Sequence, residues 1–379
     1  MAHRVEGINP TILIQCREQI GLTLSEVEAK VPKIRDIEHG ELKPTFKQID
    51  ALSALYSVPR WVFISDEIPA EYRFDRAIPA FRQFSHSGTA TFGDARLRRV
   101  VARVERYRQL MLDLSEDVED SGIFETDPPM IDKSEPADQA ARKTIEWLAP
   151  PRPHLGFEEW RELIEQRGVF VFVTSKYRGW SNIDDLNLRG VSLYHDQLPV
   201  IIINDSDAKK AQSFTLFHEL GHILRRENAL DKWDGESSRT IERWCDAFAG
   251  SVLMPVSGVL AAVPARIDLD SINRVARSFK VSSYAMLVRF LQLGIVNRGS
   301  FYRMQNAILE DYAQQKLRLS RSEGGPTRNV PKEVLTQFGR MFTSVVFQAY
   351  NDREIGLHKT STILGLKRPS QAMEVRALL

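Results

Sequence analysis

Apolar positions along this chain recur mostly at three- and four-residue intervals, the spacing of one helix face, and run unbroken only in a few short stretches. Near the N-terminus Ile12, Leu13, Cys16 and Ile20 share such a face, opened by Asn9-Pro10 and closed by Gly21. Thr23 or Ser25 caps a second helix over 24–31, a third follows Pro32 over 33–40, and a fourth carries Phe46, Ile49, Leu52, Leu55 and Tyr56. Further on, Leu97, Val100, Val104, Tyr107 and Met111 form the apolar stripe of a long helix over 93–114. Helices are also expected over 137–148, 157–167, 272–279 and 284–293. The unbroken runs at 168–173, 190–194 and 198–204 read as strands. Residues 318–329, with Gly324-Gly325-Pro326, read as a loop, and 331–379 as a helical tail.

The pattern predicts an α+β protein. Its expected parts are an all-α domain (1–65), a connector with a basic helix and an acidic linker (66–136), a domain with a small sheet (137–315), and a helical C-terminal region (316–379). The length of 379 residues suits two or three domains, and 43% hydrophobic with 27% charged residues is ordinary for a soluble protein. A net charge of +1 argues against sequence-independent attraction to nucleic acid over the whole surface. The arginines of the helix over 93–114 read as a solvated structural face or as a local nucleic-acid patch. Residues 115–138 hold nine acidic side chains against one lysine, enough to neutralise that helix if the two pack together. The two cysteines, Cys16 and Cys245, imply no disulfide framework and fit a reducing cytoplasm. No apolar stretch is long enough to cross a bilayer, so no membrane partner is expected.

One helical segment carries chemistry. Phe217-His218-Glu219-Leu220-Gly221-His222 is an H-E-x-x-H motif, and residues four apart on a helix share a face. His218 and His222 can therefore present both imidazoles to one metal ion, with Glu219 placed to deprotonate a water beside it. A catalytic zinc site wants a third protein ligand. On a following helix over 240–249, Glu242 and Asp246 stand at i and i+4, a spacing that offers Glu242 as ligand and Asp246 as acceptor of an imidazole proton. The alternative is an exposed carboxylate pair, mildly repulsive and oddly placed among Ile241, Trp244, Cys245 and Phe248. Cys245 reads as a small buried thiol. For a second oxyanion donor, Tyr194, His195 and Arg189 are the upstream candidates.

Phe214–His222, Glu242–Ala249 and Leu253-Met254-Pro255 together resemble the ImmA/IrrE family of metallopeptidases, as does the strand over 198–204 that leads into the motif helix. Trp244 and Cys245 depart from the small or charged residues usual there. The resemblance implies a gluzincin-like zinc metallopeptidase domain with a small sheet and active-site helices. It also implies, as protein substrate, a helix-turn-helix repressor of stress-response or mobile-element genes. The order of the N-terminal helices, with Ile37-Glu38-His39-Gly40-Glu41-Leu42-Lys43-Pro44-Thr45, resembles the XRE-type helix-turn-helix of phage repressors, and Ile78–Arg82 matches the family's join between the two parts. A shortened turn at Pro32 and eight basic against eight acidic residues over 1–65 set this module apart from a strongly basic DNA binder. Two roles stay open for it: DNA contact through Lys33, Arg35 and Lys43, or dimerisation and partner binding. Set against the zinc endopeptidase is a DNA-binding regulator or antitoxin-like protein whose peptidase fold is latent.

Overall fold

The computed structural model describes residues 4–56, 58–69, 72–73, 95–116, 128–177, 181–183, 188–226, 235–321 and 328–379. The Ile78–Arg82 join, the acidic stretch over 117–127 and Gly324-Gly325-Pro326 lie outside the described residues. Contacts divide the chain into two units, 1–117 with 175–188, and 118–174 with 189–379. The boundaries expected after residues 65 and 315 do not coincide with these units.

The first unit begins with α1 (Pro10–Gln19), whose N-terminus is capped by Asn9. In α2 (Leu24–Glu28) Thr23 and Glu26 close a reciprocal capping box, and α2 ends before Ala29, earlier than its apolar pattern suggested. The interval before α3 (Ile34–Glu38) is a full five residues, 29–33, not a shortened turn. Its left-handed position falls on Lys33 (φ 64°), where glycine would carry no steric cost. α4 (Phe46–Tyr56) and a 3-10 turn (Arg60–Ile64) follow. The core takes Leu13, Val27, Ile34, Leu52 and Phe63, and a buried Glu38 accepts three hydrogen bonds from Arg17 Nε and Nη2, tying α3 to α1.

α5 (Ala95–Glu116) belongs to this same unit, with Ala102 in its core. Its arginines are not a solvated face. Arg98 donates to the Ile20 carbonyl at 3.1 Å and pairs with Glu26, while Arg106 lies over the Tyr72 ring and reaches the Tyr56 carbonyl. Burial holds Arg106 down to about 10 despite its guanidinium's usual basicity. The basic stripe therefore staples the helices of this unit together.

The second unit opens with α6 (Ala137–Leu148) and α7 (Phe157–Gln166). Three strands follow, β1 (Phe170–Val173), β2 (Gly190–Leu193) and β3 (Val200–Ile203), in the order β1-β3-β2. β1 and β3 are parallel, β2 and β3 antiparallel. Every strand residue is buried, which explains the unbroken apolar runs: the sheet is covered on both faces. Val171, Val173, Ile201 and Ile203 face a core shared with α8 (Lys209–Leu224) and α9 (Gly235–Leu253), where Phe217 meets Trp160 of α7 edge-on. α10 (Val256–Ala261), α11 (Leu269–Ser278), α12 (Ser283–Gln292) and α13 (Arg298–Arg321) extend that core. α13 continues through 318–321, residues expected in a loop.

The other face of the sheet is covered by α14 (Val330–Asn351), followed by α15 (Leu357–Ile363) and α16 (Pro369–Arg376). Phe342 stacks on Phe170 at 5.5 Å, and Phe338 meets Phe172 edge-on. The C-terminal helices are thus part of the sheet domain and not a tail. α14 bends at Gly339, whose φ of 79° breaks the helical ladder. The carbonyls of Thr336 and Gln337, which lose their partners at the bend, accept from the buried Arg161 instead, and the Met341 N–H turns to Glu165.

Candidate metal centre

α8 and α9 make the most extensive helix pair of the second unit, and the approach is set by Gly221. A Cβ there would stand 3.1 Å from the Phe248 ring and 3.3 Å from the Cys245 sulfur, so the bare Cα lets the two helices close up. Cys245, Phe248 and Ala249 are the buried side of α9. Trp244 stacks on Phe248, donates its indole N–H to the Glu135 carbonyl and lies under the Arg225 guanidinium. Trp244 and Cys245 are therefore packing residues of the helix pair.

The close approach brings His218 and His222 of α8 against Glu242 of α9. Their donor atoms stand at three similar separations. The two Nε2 atoms are 3.3 Å apart, Glu242 Oε2 is 3.2 Å from His218 Nε2, and Glu242 Oε1 is 3.5 Å from His222 Nε2. A tetrahedral zinc ion with bonds of about 2.0–2.1 Å requires donor–donor edges of about 3.3–3.4 Å. The imidazole pair meets that edge length, while Glu242 reaches the two rings through different oxygens. The three residues thus fit such an ion in donor chemistry and come within 4.8 Å of one another by one ligand atom each. Among the described residues they are the one group of His, Cys, Asp and Glu so placed.

Asp246, one turn beyond Glu242, meets His218 Nδ1 at 2.9 Å. With the proton on Nδ1, the Nε2 lone pair is left facing the cluster. Burial opposes a charge on His218, but hydrogen bonds to Asp246 and Glu242 and the charge of Glu219 outweigh it and raise its pKa to about 10 with no metal bound, so a metal ion would take Nε2 by displacing its proton.

Glu219 lies buried against β2, where the Ser192 hydroxyl donates to Oε2 at 2.7 Å. Burial raises its pKa above the ordinary carboxylate range, against the pull of His218 and Ser192. A carboxylate with enhanced proton affinity, one residue from a candidate metal ligand, is placed for general-base work. Ser192 was not singled out from the sequence. Its signal was a lone hydroxyl in an apolar strand, two residues from a glycine and so on the same face.

Of the other expected site residues, Tyr194 donates to Asp196 at 3.0 Å. Tyr194 and His195 line a cavity of about 250 Å³ that none of His218, His222 and Glu242 lines. Arg189 is exposed and turned to Asp207 at 3.7 Å. In the first unit Lys33, Arg35 and Lys43 are all exposed, with Arg35 paired to Glu28 and Lys43 to Glu6.

Residues 168–291, which span the sheet, both metal-centre helices and α12, match the family model described as IrrE N-terminal-like domain, a peptidase family. Over these residues the chain is similar to that family. No curated protein matches the chain. The IrrE-like domain begins at Gly168, immediately before β1, so α6, α7 and the C-terminal helices that cover its sheet lie outside the matched segment. A metallopeptidase family is consistent with the His2Glu cluster at its centre. Among the described residues no helix is long and apolar enough to cross a membrane.

Proposed function

We propose that the chain is a zinc-dependent endopeptidase that cleaves a helix-turn-helix transcriptional repressor. The observation that carries the reading is the convergence of His218, His222 and Glu242, one ligand atom of each within 4.8 Å of the others. Two imidazoles and one carboxylate are also the donors zinc favours at catalytic sites. When bound, zinc supplies Lewis acidity, polarising a carbonyl and drawing the pKa of a water toward about 7.

The chain's own residues do the rest. Asp246 fixes the His218 ring and its tautomer. Glu219 takes the proton of the attacking water and passes it to the leaving amine, acting first as base and then as acid. Among the described residues β2 is the edge of the sheet beside Glu219, where an extended segment of substrate would add as a further strand.

The repressor substrate rests on the family resemblance together with the N-terminal helices. An XRE-type module there would bring the peptidase to an operator, to a related repressor or to a second copy of the chain, in a reducing cytoplasm. Lys33, Arg35 and Lys43 are the side chains it would offer to DNA phosphates.

The test is a mass-spectrometric survey of new protein N-termini in cells expressing the wild-type chain or Glu219→Gln. New termini confined to the wild type identify the substrate. Identical termini, with and without DNA damage, sink the peptidase and return the chain to a DNA-binding regulator with a latent peptidase fold.

A further inference from the structure

The face of β2 that meets α8 presents only two residues of the strand's alternation, Gly190 and Ser192. Each touches Glu219 in its own way. Ser192 Oγ donates to Oε2 at 2.7 Å, and both groups are buried. At Gly190 a Cβ would stand 3.0 Å from Glu219 Oε1, 3.0 Å from its Cγ and 2.5 Å from the Thr215 methyl. No side chain fits there unless Glu219 moves. The carboxylate is thus seated on one side by a donor and on the other by a space kept empty.

The same two residues face the outer edge of the sheet with their backbones. Asn204 N–H donates to the Arg189 carbonyl at 2.9 Å, and Arg189 stands opposite Asn204 in the register that pairs Gly190 with Ile203. Hydrogen-bonded and non-hydrogen-bonded pairs alternate along an antiparallel ladder. Val191 and Leu193 therefore bond inward to β3, while Gly190 and Ser192 turn their N–H and C=O groups outward.

We propose that Ser192 is a positioning residue for Glu219. The Ser192 hydroxyl fixes the rotamer of the Glu219 carboxylate, and the packing at Gly190 holds it from the other side. The inference rests on the peptidase reading above, and it concerns kcat: misplacing a catalytic group by about 1 Å costs on the order of 100-fold.

The experiment uses the full chain and, as probe, the peptide that the wild type cleaves fastest in a library of proteome-derived peptides. Ser192→Ala is expected to lower kcat by about 10- to 100-fold with KM within about threefold. Ser192→Thr, which keeps the hydroxyl, is expected to restore most of that loss. The visible absorption spectrum of the Co²⁺-loaded chain is expected to be the same in all three proteins. Wild-type kcat in Ser192→Ala overturns the proposal and leaves the peptidase reading standing. A changed or missing Co²⁺ spectrum in Ser192→Ala also overturns it, by assigning the serine to the fold or the ion site. A wild-type chain that cleaves no peptide in the library removes both readings together.

Discussion

His218 Nδ1 and Asp246 Oδ1 stand 2.9 Å apart, and this contact decides which nitrogen of His218 is left for a metal. Asp246 is largely exposed, so its loss costs the fold little. It should cost the metal site more, because an imidazole without its carboxylate partner loses both orientation and basicity. Asp246→Ala is expected to bind zinc about 10- to 100-fold more weakly while keeping its helical circular dichroism. Competition against a chromophoric chelator measures this, and equal affinity in the two proteins would detach Asp246 from the site.

Gly221 separates two effects that usually act together. Helix propensity alone makes Gly→Ala stabilising by about 1 kcal/mol. Here the new methyl would press on Phe248 and Cys245 between α8 and α9, and overpacking of that kind costs roughly 1–3 kcal/mol. Gly221→Ala is therefore expected to lower the thermal midpoint. It should also weaken zinc binding, since the histidines ride on α8 and Glu242 on α9. A variant more stable than wild type, with unchanged zinc affinity, would show that the helices have slack at this crossing.

Metal removal gives an independent check on Glu242. A ligand that binds only the folded state stabilises it by about 2.7 kcal/mol when present at 100 times its Kd. Zinc should raise the thermal midpoint of the wild-type chain and a chelator should reverse the rise. In Glu242→Gln, where one of the three donors becomes an amide, most of that response is expected to vanish. A full zinc shift in Glu242→Gln would place the third donor elsewhere.

What the sequence conveyed and what it withheld divide along the range of the interactions. The i,i+4 spacing of His218 with His222, and of Glu242 with Asp246, is a local property of a helix and could be read directly. So could the apolar runs of the three strands, because a sheet covered on both faces needs no alternation. Ser192 could not be connected to Glu219 in that way, since a strand and a helix 27 residues apart meet only through the fold. The arginines of α5 looked solvated because a basic stripe carries no mark of the carbonyls it will meet, such as those of Ile20 and Tyr56. The bend in α14 was hidden for the same reason: Gly339 sits in an ordinary helical pattern, and its φ of 79° makes sense only beside Glu165.

That bend carries a pH dependence whose sign can be worked out. Glu165 is buried, and burial pushes its pKa up from 4.5 to about 7, more than the adjacent Arg161 charge pulls it down. A carboxyl with a raised pKa in the folded state holds a proton that the unfolded chain has already released. Its contribution to stability is therefore greatest below pH 4.5, falls as the pH rises through about 7, and is flat above that. At about 1.4 kcal/mol per unit, the loss across this window is roughly 3 kcal/mol. Urea unfolding at pH 5 and pH 8 should show the wild-type chain losing stability relative to Glu165→Gln, which has no proton to release. Parallel pH profiles for the two proteins would mean that Arg161 keeps Glu165 charged throughout. Gly339→Ala addresses the same contact from the other side. Its methyl would fall on the Glu165 carboxylate at a backbone conformation that costs an L-residue about 1–3 kcal/mol, so it is expected to destabilise the domain at every pH and not only above the Glu165 titration.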